Sequence, residues 1–212
     1  GVEMIPESIE IESIANALPI VRKEIAATKK KKAVERSSID QRIDYRWIDL
    51  RTDENQLMFK AQSCFVNAMR KFLLDRNFIE IHTPKLIAAA SESGSEVFKV
   101  DYFDRNAYLA QSPQFYKQMA KAAGFERIFE TGPVFRAEKS YTNKHSTEFS
   151  GFDLEFSYIT SYKDVMKMEE ELLTAGLQAV KDNYGDQIKE MFGQEVIVPT
   201  TPFPVVKLAD LY

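Results

Sequence analysis

Two runs of alternating residues, joined by a polar loop, dominate the pattern of apolar and polar positions. From Val134 to Glu138 an extended backbone sends Val134, Arg136 and Glu138 to one face and Phe135 and Ala137 to the other. Alternation returns from Glu148 to Tyr158, with Phe152, Leu154, Phe156 and Tyr158 on one side and Phe149, Gly151, Asp153, Glu155 and Ser157 opposite. The pattern predicts two strands linked by a basic loop, Lys139 to Glu148. One face is apolar; the other carries an arginine, carboxylates and an aromatic ring.

Elsewhere the period is helical. Thr52 is a good N-cap with Asp53 and Glu54 behind it, and Leu57, Ala61, Phe65, Ala68, Phe72 and Leu73 predict a helix reaching Asp75. Phe78 to His82 alternate briefly as a strand that Pro84 ends. Val97 to Tyr102 and Ala107 to Ala110 read as a hairpin around Asp104 and Asn106. Ser112 and Pro113 open a helix through Ala123, stopped by Gly124, and Arg127 to Glu130 form a short strand before the first alternating run. Ser161 caps a helix to about Asn183, with Gly185 beyond its end and Leu172, Leu177 and Val180 in its apolar stripe. Gln187 to Ile197 read as a helix or loop followed by a short strand. Ile9 to Ile14 are strand-like, and residues 202–212 read as a strand and the start of a helix. Both ends look cut, which sets the expectation of a fragment or a partly ordered chain.

Composition narrows the classes. A formal net charge of -4 argues against a surface given over wholly to nucleic acid but permits a local basic patch. One cysteine, Cys64, cannot form an internal disulfide, so a reducing, cytoplasmic setting is expected, and no apolar run or signal-like start suggests a membrane or export. Lys29 to Lys32 sit in a polar stretch that reads either as a solvated linker or as a first contact with phosphate.

The charged strand face invites chemistry. Arginine offers a planar fork for phosphate oxygens, a phenylalanine face stacks on a base, and Lys139, Lys144 and His145 could close over a polyphosphate. An exposed, ion-paired face explains the same spacing equally well. Glu92, in the small-residue stretch Ala88 to Gly94, could place a carboxylate over a pocket or lie in a plain connector. Gln114 and Lys117 share a helix face, where the lysine could hold a carboxylate or simply be exposed. Neither G-x-x-x-x-G-K nor G-x-G-x-x-G occurs, and with only His82 and His145 no metal site is expected within the chain.

FRAE at Phe135 to Glu138, the basic loop and EFSGFDLEFSY resemble the second signature of class II aminoacyl-tRNA synthetases, and RNFIEIHTPKL at Arg76 to Leu86 resembles the first. Together with YRWIDLRT, SESGSEVF and YLAQSPQFYKQ they resemble, over residues 42 to 160, the aspartyl-tRNA synthetases of the eukaryotic and archaeal cytosolic type. The resemblance implies an α+β fold, an antiparallel β-sheet flanked by helices and incomplete at the C-terminus. Residues 1–20 would be the remnant of an anticodon-binding OB-fold domain, 21–41 a hinge, and 42–212 part of the catalytic domain, lacking the third signature.

The implied activity is ATP- and Mg2+-dependent conversion of L-aspartate to aspartyl adenylate and transfer to the 3′ end of tRNA(Asp), in a cytoplasmic homodimer formed through residues 57–86. The fragment alone is expected to be inactive. An asparaginyl-tRNA synthetase and a catalytically silent binding module are the alternatives. By the same resemblance Arg136 would clamp the α-phosphate and the substrate carboxylate, and Glu138 would sit against adenine or the tRNA end. Lys144, His145 and Ser146 would meet the outer phosphates, and Phe149 would stack on adenine. Glu92, Gln114 and Asp153 would receive the ammonium group, and Lys117 would pair with the side-chain carboxylate. Ser93 departs from the family loop, which carries glycine there.

Overall fold

The computed structural model describes residues 3–21, 35–91, 97–139, 142 and 144–211. Lys29 to Lys32, Glu92 and Ser93 lie outside them. The chain divides into two compact units, residues 1–60 and 61–212. In chain order the helices are α1 (Ile39–Asp44), α2 (Arg46–Asp49), α3 (Asp53–Leu74), α4 (Gln114–Ala122) and α5 (Tyr162–Phe192). The strands are β1 (Ile79–Glu80), β2 (Leu86–Ile87), β3 (Lys99–Tyr102), β4 (Arg105–Leu109), β5 (Arg127–Phe135) and β6 (Glu148–Phe156).

The first unit is organised around a buried carboxylate. Asp49 is fully buried, with Arg46 Nη1 at 2.7 Å, Arg36 Nη2 at 3.5 Å and Arg42 Nη1 at 3.6 Å. The Asn55 amide donates to its side chain at 3.1 Å and to its carbonyl at 2.8 Å. Burial pushes the Asp49 carboxyl up, but Arg42, Arg36, Asn55 and Arg46 together outweigh it and hold the group below the usual aspartate range. Thr52 caps α3 as its sequence position suggests: its hydroxyl accepts from the Asn55 N–H at 3.4 Å. The strand expected at Ile9 to Ile14 does not form, and those isoleucines are exposed. Among the described residues no strand is there to pair with them, and an unpaired strand is not stable in water.

In the second unit the described strands make two three-stranded sheets, ordered β1-β5-β6 and β2-β4-β3. β1 runs parallel to β5; the other pairings are antiparallel. Met69 and Leu73 of α3 pack with Phe78, Phe129 and Leu172, joined by Phe152, Leu154 and Phe156 from the apolar side of β6. Phe129 and Phe152 stack with ring centroids 5.9 Å apart.

Several elements differ from their expected bounds. β5 is one nine-residue strand from Arg127, because β6 pairs with it along its whole length, Arg127 opposite Phe156 through to Phe135 opposite Glu148. Arg136 and Glu138 therefore lie just past its end. Tyr158 lies beyond β6, 87% exposed with φ of 61°, and so leaves the apolar side. α4 starts at Gln114, one residue later than expected, with the Ser112 hydroxyl accepting from its N–H at 3.4 Å.

The largest difference is α5, which passes through Gly185 and ends at Gly193, in the left-handed region with φ of 65°. A helical glycine costs about 1 kcal/mol relative to alanine, too little to stop a helix with a Ser161–Asp164 capping box. The turn after Gly185 is thus the same helix, and neither the strand expected before residue 198 nor that expected after 201 forms; Leu208–Asp210 is a 3-10 turn.

Close approach of α5 to α3 occurs at Gly176, where an added Cβ would lie 2.6 Å from Cε2 of Phe65 and 3.0 Å from Cγ of Met69. Gly176→Ala is expected to destabilise the protein by about 1–2 kcal/mol although alanine is the better helix former. Gly185→Ala, whose methyl would meet Lys181 Cγ at 3.6 Å, is expected to stabilise by about 0.5–1 kcal/mol. Urea midpoints of the two variants check the contrast.

Candidate active site

The site is written in the register of β5 against β6. Glu130 lies opposite Asp153, Gly132 opposite Gly151, and Val134 opposite Phe149. Because alternate residues share a face, these three pairs form a ladder on the side away from Phe129, Phe152 and Leu154. One rung is carboxylates, the middle rung has no side chains, and the third is apolar and aromatic. The face lines a cavity of about 120 Å³, together with Lys85, Gln111, Ser112 and Arg136.

Two backbone bonds fix the cavity wall. The Ala110 N–H donates to the Lys85 carbonyl at 2.9 Å, and the Phe135 N–H donates to the Ala110 carbonyl at 2.9 Å. Lys85 and the Gln111–Ser112 segment are thereby tied to the end of β5.

At the carboxylate end, Glu130 is 3% exposed. It accepts from the Thr83 N–H at 2.8 Å, the Thr83 hydroxyl at 2.7 Å and Lys85 Nζ at 2.8 Å. Burial pushes its carboxyl up, but the bonds from Lys85 and Thr83 outweigh burial and hold it below the usual glutamate range. Next to it Lys117, on the first turn of α4 and 4% exposed, donates to Asp153 and lies 3.1 Å from Glu155 Oε2. Burial pulls the Lys117 ammonium down, yet Asp153 and then Glu155 more than compensate and hold it above the usual lysine range. At the aromatic end the Arg136 guanidinium carbon lies 5.4 Å from the centre of the half-exposed Phe149 ring, within cation–π reach.

Of the expected site residues, Arg136, Phe149 and Asp153 line this one cavity, and Lys117 stands directly behind Asp153. Gln114 opens α4, half-buried, and is not in the wall. Lys144, His145 and Ser146 are exposed on the loop after β5, where His145 Nε2 is 3.9 Å from Glu138. Glu92 falls outside the described residues. Among the described residues no group of three His, Cys, Asp or Glu side chains is arranged to hold a metal ion.

Sequence reasoning missed Lys85, Glu130 and Gln111 in the wall and assigned no role to Glu155. Glu130 was reachable, since carrying the alternation of Val134 back through Gly132 ends on it. Lys85 follows a proline in an irregular segment and has no periodic signal.

The family model described as tRNA synthetases class II (D, K and N) matches residues 38–211. The chain is 46% identical over 204 residues to an aspartate–tRNA(Asp/Asn) ligase of Methanopyrus kandleri, covering 96% of this chain and 45% of that protein. It is 44% identical over 191 residues to an aspartate–tRNA(Asp) ligase of Picrophilus torridus, covering 90% and 43%. In structure it is similar to the asparaginyl-tRNA synthetase of Pyrococcus horikoshii complexed with asparaginyl-adenylate, with a TM-score of 0.68, 36% identity and coverage of 73% of this chain and 35% of that one. The chain thus spans less than half the length of the curated relatives it matches.

The Glu130 cluster ties the segment after β1 to β5 by charge. With a folded-state pKa below the ordinary value of about 4.3, its stabilisation is complete above that pH and is lost as pH falls through the folded value. Glu130→Gln is expected to cost about 3 kcal/mol at neutral pH and progressively less below about pH 4, read from urea midpoints across an acid series.

Proposed function

Because this chain belongs to the class II tRNA synthetases of the D, K and N type, we propose that its cavity binds an aminoacyl adenylate and that the whole protein is an aspartate–tRNA ligase. The observation that carries this reading is the ladder itself: a guanidinium and a ring at one end, a lysine–carboxylate cluster at the other, and a side-chain-free rung between. An adenylate has the same order, with base and phosphate at one end and an amino acid at the other.

In this reading Phe149 stacks on adenine and Arg136 grips the α-phosphate and the substrate's α-carboxylate. The α-carboxylate oxygen attacks the α-phosphorus, the bond to the bridging oxygen breaks, and pyrophosphate leaves. The 3′-hydroxyl of the terminal adenosine of tRNA(Asp) then attacks the carbonyl carbon, and AMP leaves. Positioning and charge stabilisation carry the rate, with little acid–base work asked of the protein. Mg2+ enters with ATP, bound to its phosphates as part of the substrate.

Lys117 shares its three N–H groups between Asp153, Glu155 and the side-chain carboxylate of aspartate, while Asp153, Gln114 and Glu92 take the ammonium group. Glu138 sits against adenine or the tRNA end, and Lys144, His145 and Ser146 meet the outer phosphates. A buried cation favours aspartate over the uncharged amide of asparagine. The likeness to an asparaginyl enzyme keeps asparagine as the second reading. Residues 1–20 as the end of an anticodon-binding domain, 21–41 as a hinge, a homodimer through residues 57–86 and a cytoplasmic setting complete the proposal. Among the described residues no helix is long and apolar enough to cross a membrane.

Aspartate-dependent ATP–pyrophosphate exchange by the intact protein, compared with asparagine, tests the substrate. Arg136→Ala is expected to lower that exchange about a thousand-fold, and near-wild-type exchange would remove Arg136 from its role. Lys117→Met is expected to raise the aspartate concentration needed by about a hundred-fold with that for ATP little changed.

A further inference from the structure

Lys85 and Glu130 take no part in the proposed reaction, yet both line the cavity. Lys85 arrives from the segment after β1 and lies across Gly132: a Cβ added there would meet its Cε at 3.6 Å and its Nζ at 3.8 Å. The ammonium is therefore carried on the cavity face of β5, over the rung without side chains. Its side chain is 22% exposed and that of Glu130 is 4% exposed, so water screens the carboxylate poorly.

Among the described residues the charged side chains in the wall are Lys85, Arg136, Glu130 and Asp153. Two positive and two negative groups leave the wall neutral. Behind it, Lys117 carries one positive charge against the two of Asp153 and Glu155, and Asp153 is already counted in the wall. Removing the Lys85 ammonium would leave Glu130 as an uncompensated anion in the wall.

We propose that Lys85 and Glu130 form a specificity-determining pair, a charge-compensated floor that admits an amino acid whose side chain is anionic. The inference rests on the aspartate reading above. An aspartate with its ammonium and two carboxylates carries net charge -1, whereas asparagine carries none. The charge of the floor therefore acts on the first and hardly on the second. Lys85 cancels Glu130, while Thr83 and Lys85 hold the carboxylate in place.

A latch that merely tied the segment after β1 to β5 would respond in the same direction to the loss of either partner. A charge-compensated floor responds in opposite directions. The experiment measures ATP–pyrophosphate exchange by the intact protein at saturating ATP, with aspartate varied. Lys85→Met is expected to raise KM for aspartate on the order of ten-fold, with kcat moving less, and Glu130→Gln is expected to lower it. The double variant is expected to return to within about three-fold of wild type, because it removes one charge of each sign. Single variants that both raise KM, or a double variant no better than Lys85→Met, would overturn the proposal. If Lys85→Met does not fold, the direction of the Glu130→Gln shift and the recovery in the double variant still decide it. A wild type without aspartate-dependent exchange is a different result: it removes the substrate reading itself, and this inference with it.

Discussion

Everything at the site depends on the register between β5 and β6. A strand has two faces, and these two strands use both: Phe129 and Phe152 stack in the core while Glu130 and Asp153, their neighbours in sequence, stand opposite one another on the other side. A slip of one residue in either strand would put a carboxylate into the apolar cluster and a phenylalanine into the cavity. Nine paired positions and a stacked aromatic contact hold the register, so the packing that stabilises the unit also aims its polar groups.

Charge is handled in the same spirit throughout. Asp49, Glu130 and Lys117 are all buried, and each is held in its charged form by partners that outweigh the cost of burial. In each case at least one partner comes from another segment. Three arginines and Asn55 converge on Asp49, the segment after β1 supplies Lys85 and Thr83 to Glu130, and α4 supplies Lys117 to two acids of β6. Such clusters specify which segments meet, a job that apolar contact does less selectively.

What the sequence made legible follows from period. The apolar side of β6, the cap of α3, the hairpin of β3 and β4, and the shared face of Phe149 and Asp153 were all readable from alternation or turn chemistry. Position within the chain misled where a local signal was taken as a stop. Gly185 reads as an end but sits in mid-helix, because a favourable cap and packing outweigh one glycine; Ile9 to Ile14 alternate but have no described strand beside them. The ion pairs were invisible for another reason. Lys85 and Glu130 are 45 residues apart, and nothing local in either predicts that a parallel pairing of β1 with β5 brings them together.

The middle rung of the ladder has a consequence for how the sheet behaves. Gly132 faces Gly151, so at that point neither strand contributes a side chain of its own, and the rung is covered only by the Lys85 side chain over Gly132 and by Val134 beside Gly151. A molecule lying across the rung beside Lys85 would add a cross-strand contact that the two glycines cannot make, bridging strand to strand. Occupancy and local rigidity thus become two descriptions of one event, with the guest serving as a temporary piece of the sheet.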